Sequence, residues 1–145
     1  LQYDCIVGNN AIIVNGVLLG GHVVVGEYAV LGGLSAIHQF IHIGDHAMIS
    51  GGSLVRKDVP PYSKAAKEPL SYVGINSVGL RRRGFSSAKI KEIQDIYRIL
   101  YQKNYNTSQA IEIIEAEMEA TPERDEIMLF IRNSQRGIMK GYTTG

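Results

Sequence analysis

The chain has 145 residues with a formal net charge of +1, and 45% of them are hydrophobic, enough to fill the core of one domain without a basic or acidic excess that would call for nucleic acid. The apolar stretch 11–36 is broken by Asn15, His22 and Glu27, well short of the roughly 18 uninterrupted residues of a membrane span, so membrane insertion is not expected and no secretory leader is visible. A single cysteine, Cys5, excludes an internal disulfide, suits a reducing cytoplasm and falls on a small inward position as a packed thiol.

From the N-terminal end an aliphatic residue returns at every sixth position: Val7, Ile13, Leu19, Val25, Leu31, Ile37, Ile43, Ile49 and Val55. Gly follows it at 8, 20, 26, 32 and 44, and four places after it stand Ala11, Val17, Val23, Ala29, Ser35, Ile41, Ala47, Ser53 and Val59. A period of six fits neither a helix nor an alternating strand. It predicts a short extended segment plus a corner, repeated as the flat faces of a prism, with three hexads making one 18-residue coil of a parallel β-helix. The aliphatic residues fill the prism, and Gly accepts the tight backbone at the corner. Leu1 already stands in phase with Val7, and an open first coil would show unpaired strand edges, so further coils are expected ahead of it.

The beat ends near Val59, where Asp58-Val59-Pro60-Pro61-Tyr62 brings two residues that cannot donate to a ladder. Helical spacing then takes over. Ile90, Ile93, Tyr97, Leu100 and Tyr101 share a face after Ser86-Ser87, and a second helix starts near Thr107 or Ser108 with Ala110, Ile111, Ile114 and Met118 inward. Thr121 caps a third helix, with Pro122 at its first position and Ile127, Phe130 and Ile131 inward. The expected organisation is mainly β: a hexapeptide-repeat β-helix over 1–59, a connecting segment over 60–85 and a small α-helical domain over 86–145.

Residues eighteen apart occupy the same prism position on adjacent coils, which gives the columns Asp4-His22-Phe40, Tyr3-Gly21-Gln39 and Gln2-Gly20-His38. Tyr3, Asp4, Gly21, His22, His38 and Gln39 therefore converge on one edge. A histidine base, a carboxylate to orient an imidazole and a glycine N–H for a developing oxyanion suit acyl transfer; the alternative is a set of solvated edge residues. His38, His42 and His46 are four apart, but on a six-residue period they point in different directions, so no metal site is expected within one chain. Arg81-Arg82-Arg83 reads either as a solvated face or as a clamp on phosphate.

Ala36-Ile37-His38-Gln39-Phe40, Asp58-Val59-Pro60-Pro61-Tyr62, Gly74-Ile75-Asn76 and Gly79-Leu80-Arg81-Arg82-Arg83-Gly84-Phe85 together resemble the acyl-carrier-protein:UDP-N-acetylglucosamine O-acyltransferases, a family that opens lipid A synthesis. The resemblance implies a left-handed parallel β-helix with a C-terminal helical domain, assembled as a cytoplasmic homotrimer with its sites between subunits. It implies transfer of a 3-hydroxyacyl group from acyl-carrier protein to the sugar 3-hydroxyl of UDP-N-acetylglucosamine, with the carrier thioester as acyl donor and no further cofactor. By the same resemblance Gly21 supplies the oxyanion N–H and His22 contacts substrate. His38 and Gln39 line the substrate groove, Asn76, Arg82 and Arg83 contact nucleotide and phosphate, and Gly51 limits acyl length, leaving room for a long chain.

Two positions depart from the family pattern. Tyr3 stands where the family has its catalytic His, beside the orienting Asp4, and Val78 stands where an acidic substrate contact is usual. A phenol, with an ordinary pKa of about 10, is a poor base at neutral pH. The competing readings are a non-catalytic paralogue that binds sugar nucleotide or carrier protein, favoured by Tyr3, and a hexapeptide acyltransferase with another acceptor, favoured by Val78.

Overall fold

In the computed structural model, which describes residues 4–142, each hexad forms one two-residue strand. These are β1 (Ile6–Val7), β2 (Ile12–Ile13), β3 (Leu18–Leu19), β4 (Val24–Val25), β5 (Val30–Leu31), β6 (Ala36–Ile37), β7 (His42–Ile43), β8 (Met48–Ile49) and β9 (Leu54–Val55). β1 to β6 each pair in parallel with the strand eighteen residues on: Ile6 with Val24, Ile12 with Val30, Leu18 with Ala36. The three faces of the prism are thus β1-β4-β7, β2-β5-β8 and β3-β6-β9, hereafter the first, second and third.

Both inward rows are where the beat puts them. Leu19, Val25, Leu31, Ile37, Ile43, Ile49 and Val55 are buried, as are Val23, Ala29, Ser35, Ile41, Ala47, Ser53 and Val59, while Val7 and Ile13 pack half-buried on the same core. Each large aliphatic side chain so buried contributes roughly 1.5–3 kcal/mol. The two serines are satisfied internally, since both hydroxyls donate to the Ser50 carbonyl. Cys5 packs against this core and its thiol donates to the Gly20 carbonyl at 3.2 Å.

The corners divide two tasks that the sequence reading merged. A Cβ on Gly20 would lie 2.5 Å from Gln39 N, and one on Gly32 would lie 2.4 Å from Gly51 N, so these glycines allow the next coil to approach. The left-handed turn of the chain falls two places later, at Asp4, Asn10, Gly16, His22, Tyr28, Leu34, Phe40, His46 and Gly52. A left-handed conformation costs a residue with a Cβ roughly 1–2 kcal/mol. The side chains at this position line up from coil to coil, and those columns build the site described below.

The last coil is two residues short. Val59 bridges Ile43, and β10 (Ser63–Ala66) sets Ala65 on Ile49, an offset of sixteen. In the earlier coils the outward residue donates its backbone N–H to a carbonyl on the next coil, as Val24 does to Ile41 at 3.0 Å and Ala36 to Ser53 at 2.9 Å. Shortening the corner removes that acceptor from His42. The Asp58 carboxylate replaces it, with Oδ1 accepting from His42 N at 2.9 Å and Oδ2 from the Ser134 hydroxyl at 2.6 Å. Asp58 is buried, at 3% exposure, and both its oxygens are thereby satisfied.

The stretch 60–85, expected as a connection, is itself built into the fold. β11 (Ser71–Ile75) returns antiparallel to β10, and β12 (Lys140–Gly141) joins β11 in parallel, so the second face continues to six strands. The prolines end the hexad beat but not the sheet. A six-residue helix, α1 (Ser77–Arg82), follows, capped by Asn76; it is too short to show a period in sequence.

The three longer helices are α2 (Ser87–Leu100), α3 (Thr107–Glu117) and α4 (Pro122–Arg132). Ser86, Asn106 and Thr121 cap them, the hydroxyls or amide oxygen accepting from the N–H three residues on. α2 buries Ile90, Ile93, Ile96, Tyr97 and Leu100, and α3 buries Ala110, Ile111 and Ile114. The buried face of α4 is Ile127, Met128 and Ile131; Phe130, expected inward, instead lines a cleft beside the first face. The Tyr97 hydroxyl donates to the Pro61 carbonyl at 2.5 Å and joins this helical layer to the last coil.

Candidate functional site

The corner between the third and first faces carries the column foreseen from the eighteen-residue step. Asp4 Oδ2 lies 3.9 Å from His22 Nδ1, a loose contact between exposed groups. The His22 ring stacks on Phe40 with centroids 5.0 Å apart and planes at 3°, and the Arg136 guanidinium lies 5.5 Å from the Phe40 centroid. Gly21 accepts from Phe40 N at 2.9 Å, and no acceptor among the described residues engages its own N–H. His38 is exposed and its backbone is held by Val55 O at 3.0 Å; Gln39 is exposed beside it. Asp4, Gly21, His22, His38 and Gln39 thus share one corner, while Tyr3 lies outside the described residues.

The remaining candidates sit at other corners. Asn76 and Arg83 lie where the first and second faces meet, on the column Tyr28-His46-Tyr62. Asn76 is buried; its amide donates to the His46 carbonyl at 3.0 Å and its Oδ1 accepts from Gly79 N at 3.3 Å, opening α1. Arg82 is exposed at the end of α1, and Val78 is exposed on it. Gly51 lies at the third corner, between the second and third faces, where its exposed backbone faces Gly33 O. His42 projects from the first face, and the three sequence-neighbouring histidines occupy three different places; among the described residues no group of three His, Cys, Asp or Glu could hold a metal ion.

Sequence reasoning missed His46 and Tyr28 as partners of Arg83. The step from Tyr28 to His46 was legible, but the next, to Tyr62, is sixteen residues because of the shortened coil. It also missed a cleft of about 720 Å³ between the first face and α4, lined by Val24, Phe40, His42, Glu126, Leu129 and Phe130 among others. The Tyr62 hydroxyl donates to Glu126 Oε1 at 2.5 Å across its edge. Burial, with the nearby Asp45 carboxylate adding to it against the Tyr62 bond, pushes the Glu126 carboxyl up to about 7.

That value lies above the carboxyl's ordinary one, so Glu126 contributes stability that is full below the unfolded value and lost as pH rises through 7. Glu126→Gln keeps an acceptor for Tyr62 and removes the charge. It is expected to leave stability at about pH 4 unchanged and to raise it at about pH 8 by about 1–2 kcal/mol after solvent screening, read by thermal denaturation at the two pH values. Equal shifts at both would show that ionisation plays no part.

A three-faced parallel β-helix with a six-residue beat, polar columns at its corners and a helical layer against its last coil defines the class, a hexapeptide-repeat β-helix protein. Residues 58–139 match the family model for domain 2 of UDP-N-acetylglucosamine O-acyltransferase. An acyl-(acyl-carrier-protein)–UDP-N-acetylglucosamine O-acyltransferase of Burkholderia orbicola is 39% identical over 144 residues, 97% of this chain and 55% of that protein. One of Aliivibrio salmonicida is 39% identical over 140 residues, 97% and 53% of the two chains. The crystal structure of a Bacteroides fragilis UDP-N-acetylglucosamine acyltransferase superposes with a TM-score of 0.92 at 44% identity, covering 94% of this chain and 54% of that one. The Arabidopsis enzyme superposes with a TM-score of 0.88 at 35% identity, covering 94% and 51%. The chain belongs to the UDP-N-acetylglucosamine O-acyltransferase family, and it spans about half the length of the relatives it matches.

Proposed function

We propose that this chain carries out the family's acyl transfer: a 3-hydroxyacyl group moves from acyl-carrier protein to the 3-hydroxyl of UDP-N-acetylglucosamine, the first step of lipid A synthesis. The observation that carries the reading is the corner where Asp4, His22 and an unengaged Gly21 N–H converge in a member of this family. A base there takes the sugar hydroxyl proton, and the oxygen attacks the thioester carbonyl. Gly21 N–H stabilises the oxyanion, and collapse expels the carrier thiolate, which recovers the proton. His38 and Gln39 flank the acceptor, Gly51 leaves space for the far end of a long acyl chain, and Asn76, Arg82 and Arg83 meet the nucleotide. The cytoplasm is the compartment that suits this chemistry, with Cys5 reduced.

The test is turnover with 3-hydroxyacyl carrier protein and UDP-N-acetylglucosamine, scored by the acylated sugar nucleotide and the freed carrier thiol. Binding of both substrates without transfer would sink the reading. Arg82→Ala with Arg83→Ala is expected to weaken UDP-N-acetylglucosamine binding about tenfold or more with the fold intact, since guanidinium–phosphate bonds are charge-assisted. Unchanged affinity by calorimetry returns the arginines to the solvated surface.

We further propose a homotrimer. The three groups of candidate residues stand on three different corners of one prism, so a substrate that touches all of them needs a second copy. Outward apolar residues support this, with Leu34 at 77%, Leu18 at 68% and Ile12 at 55% exposure along the second and third faces. Light scattering is expected to return three chain masses; a monodisperse monomer at micromolar concentration overturns both the trimer and the shared site.

A further inference from the structure

Arg83 is half-buried and its guanidinium is held from two sides: Nη1 lies 3.1 Å from His46 Nδ1, and the Tyr28 ring centroid is 5.2 Å from Cζ. The His46 ring is in turn fixed. It stacks between Tyr28 at 5.2 Å and Tyr62 at 5.6 Å, with Phe85 set edge-on at 5.2 Å, and Asn76 holds its backbone carbonyl. A guanidinium can only donate, so the contact needs the Nδ1 lone pair, that is, a neutral imidazole with its proton on Nε2. His46 itself is half-buried.

We infer that His46 is a positioning residue: as a neutral acceptor it holds the Arg83 guanidinium in place for an anionic ligand, and protonation of His46 releases it. The inference rests on the reading of Arg83 as a contact for the sugar nucleotide's diphosphate. The surroundings favour the neutral ring, since burial and the Arg83 charge hold His46 below the ordinary imidazole range, with Asp45 opposing them. The other groups facing it are the Tyr28 and Tyr62 phenols, Glu126 beyond Tyr62 on α4, and Arg82 next to Arg83. None supplies a carboxylate in direct contact with the ring. Once protonated, His46 would turn an N–H toward a guanidinium, two like charges at hydrogen-bond distance, and Arg83 would swing away. A phosphodiester keeps its charge in this range, so ligand titration does not mask the effect.

UDP-N-acetylglucosamine affinity is to be measured by calorimetry from about pH 5 to about pH 8 for the native protein, His46→Asn, His46→Phe and Arg83→Ala. Asn places an oxygen near the Nδ1 position and cannot be protonated, whereas Phe keeps the stack and loses the acceptor. The native protein is expected to lose about tenfold in affinity at the acid end, His46→Asn to bind near the native level with a flat profile, and His46→Phe to be about tenfold weaker throughout. If His46→Phe binds as the native protein does while Arg83→Ala is weak, or if His46→Asn keeps the native pH profile, the His46 inference is overturned and the diphosphate reading stands. If Arg83→Ala binds with native affinity, the diphosphate reading falls and takes the inference with it.

Discussion

Tyr3→His is expected to raise acyl transfer at neutral pH by roughly 10²–10⁴-fold, the usual worth of a positioned general base. The argument is one of proton affinity. A phenol with an ordinary pKa of about 10 gives up its proton too reluctantly to accept one from a sugar hydroxyl at pH 7, whereas an imidazole near 6.5 is mostly neutral and ready. Asp4 is the next residue in the chain and sits 3.9 Å from the His22 ring, whose chain neighbour is Gly21. The measurement is initial rate for the two proteins with the same carrier protein and sugar nucleotide. If the unaltered protein turns over as fast as the variant, Tyr3 is no defect and the base lies elsewhere, with His22 and His38 the next residues to replace.

Asp58→Ala is expected to lower stability by about 1–3 kcal/mol, because it leaves two part-buried donors without their acceptor. Here the carboxylate substitutes for a backbone carbonyl that the shortened coil no longer supplies to His42 N, and it also accepts from Ser134. The backbone of the same residue pairs with Gly137 O and Met139 N and survives the substitution, so the segment that carries Arg136 over Phe40 loses only its Ser134 tie. Asp58→Asn keeps one acceptor oxygen for His42 and is expected to cost less than half as much. Chemical denaturation of the three proteins decides it, and an alanine variant as stable as the native protein would remove the carboxylate from this role.

The hexad beat made the prism core and the Asp4-His22-Phe40 column legible, because a strict period converts sequence distance into spatial neighbourhood. The same arithmetic failed at residue 59. Val59 continues the beat in sequence, yet it pairs with Ile43 rather than standing over Ile41, because the last corner is two residues short. Every neighbour beyond that point shifts by two, which is why the Tyr62 ring over His46 was invisible, while the hold on Arg83 was hidden because Arg83 lies outside the hexads, at the end of α1. The return strand β11 was hidden for another reason, since Ser71–Ile75 alternates burial weakly and carries no hexad signature. Phe130 was misplaced on α4 because a large aromatic at helical spacing reads as core, and only the cleft beside the first face shows why Met128 takes the inner position.

The eighteen-residue register has a consequence for how such a chain can vary. Duplicating three consecutive hexads adds a storey and leaves every column intact, so the molecule can lengthen while its chemistry is preserved. Losing one hexad between His22 and Phe40 is a different event. The apolar pattern would still satisfy the core, and the chain would still wind and fold, but Phe40 would arrive at a neighbouring corner and the stack on His22 would dissolve. Insertions and deletions in this architecture are therefore tolerated by folding in steps of six and by the columns only in steps of eighteen, so a well-folded protein without the His22–Phe40 stack lies a single six-residue deletion away.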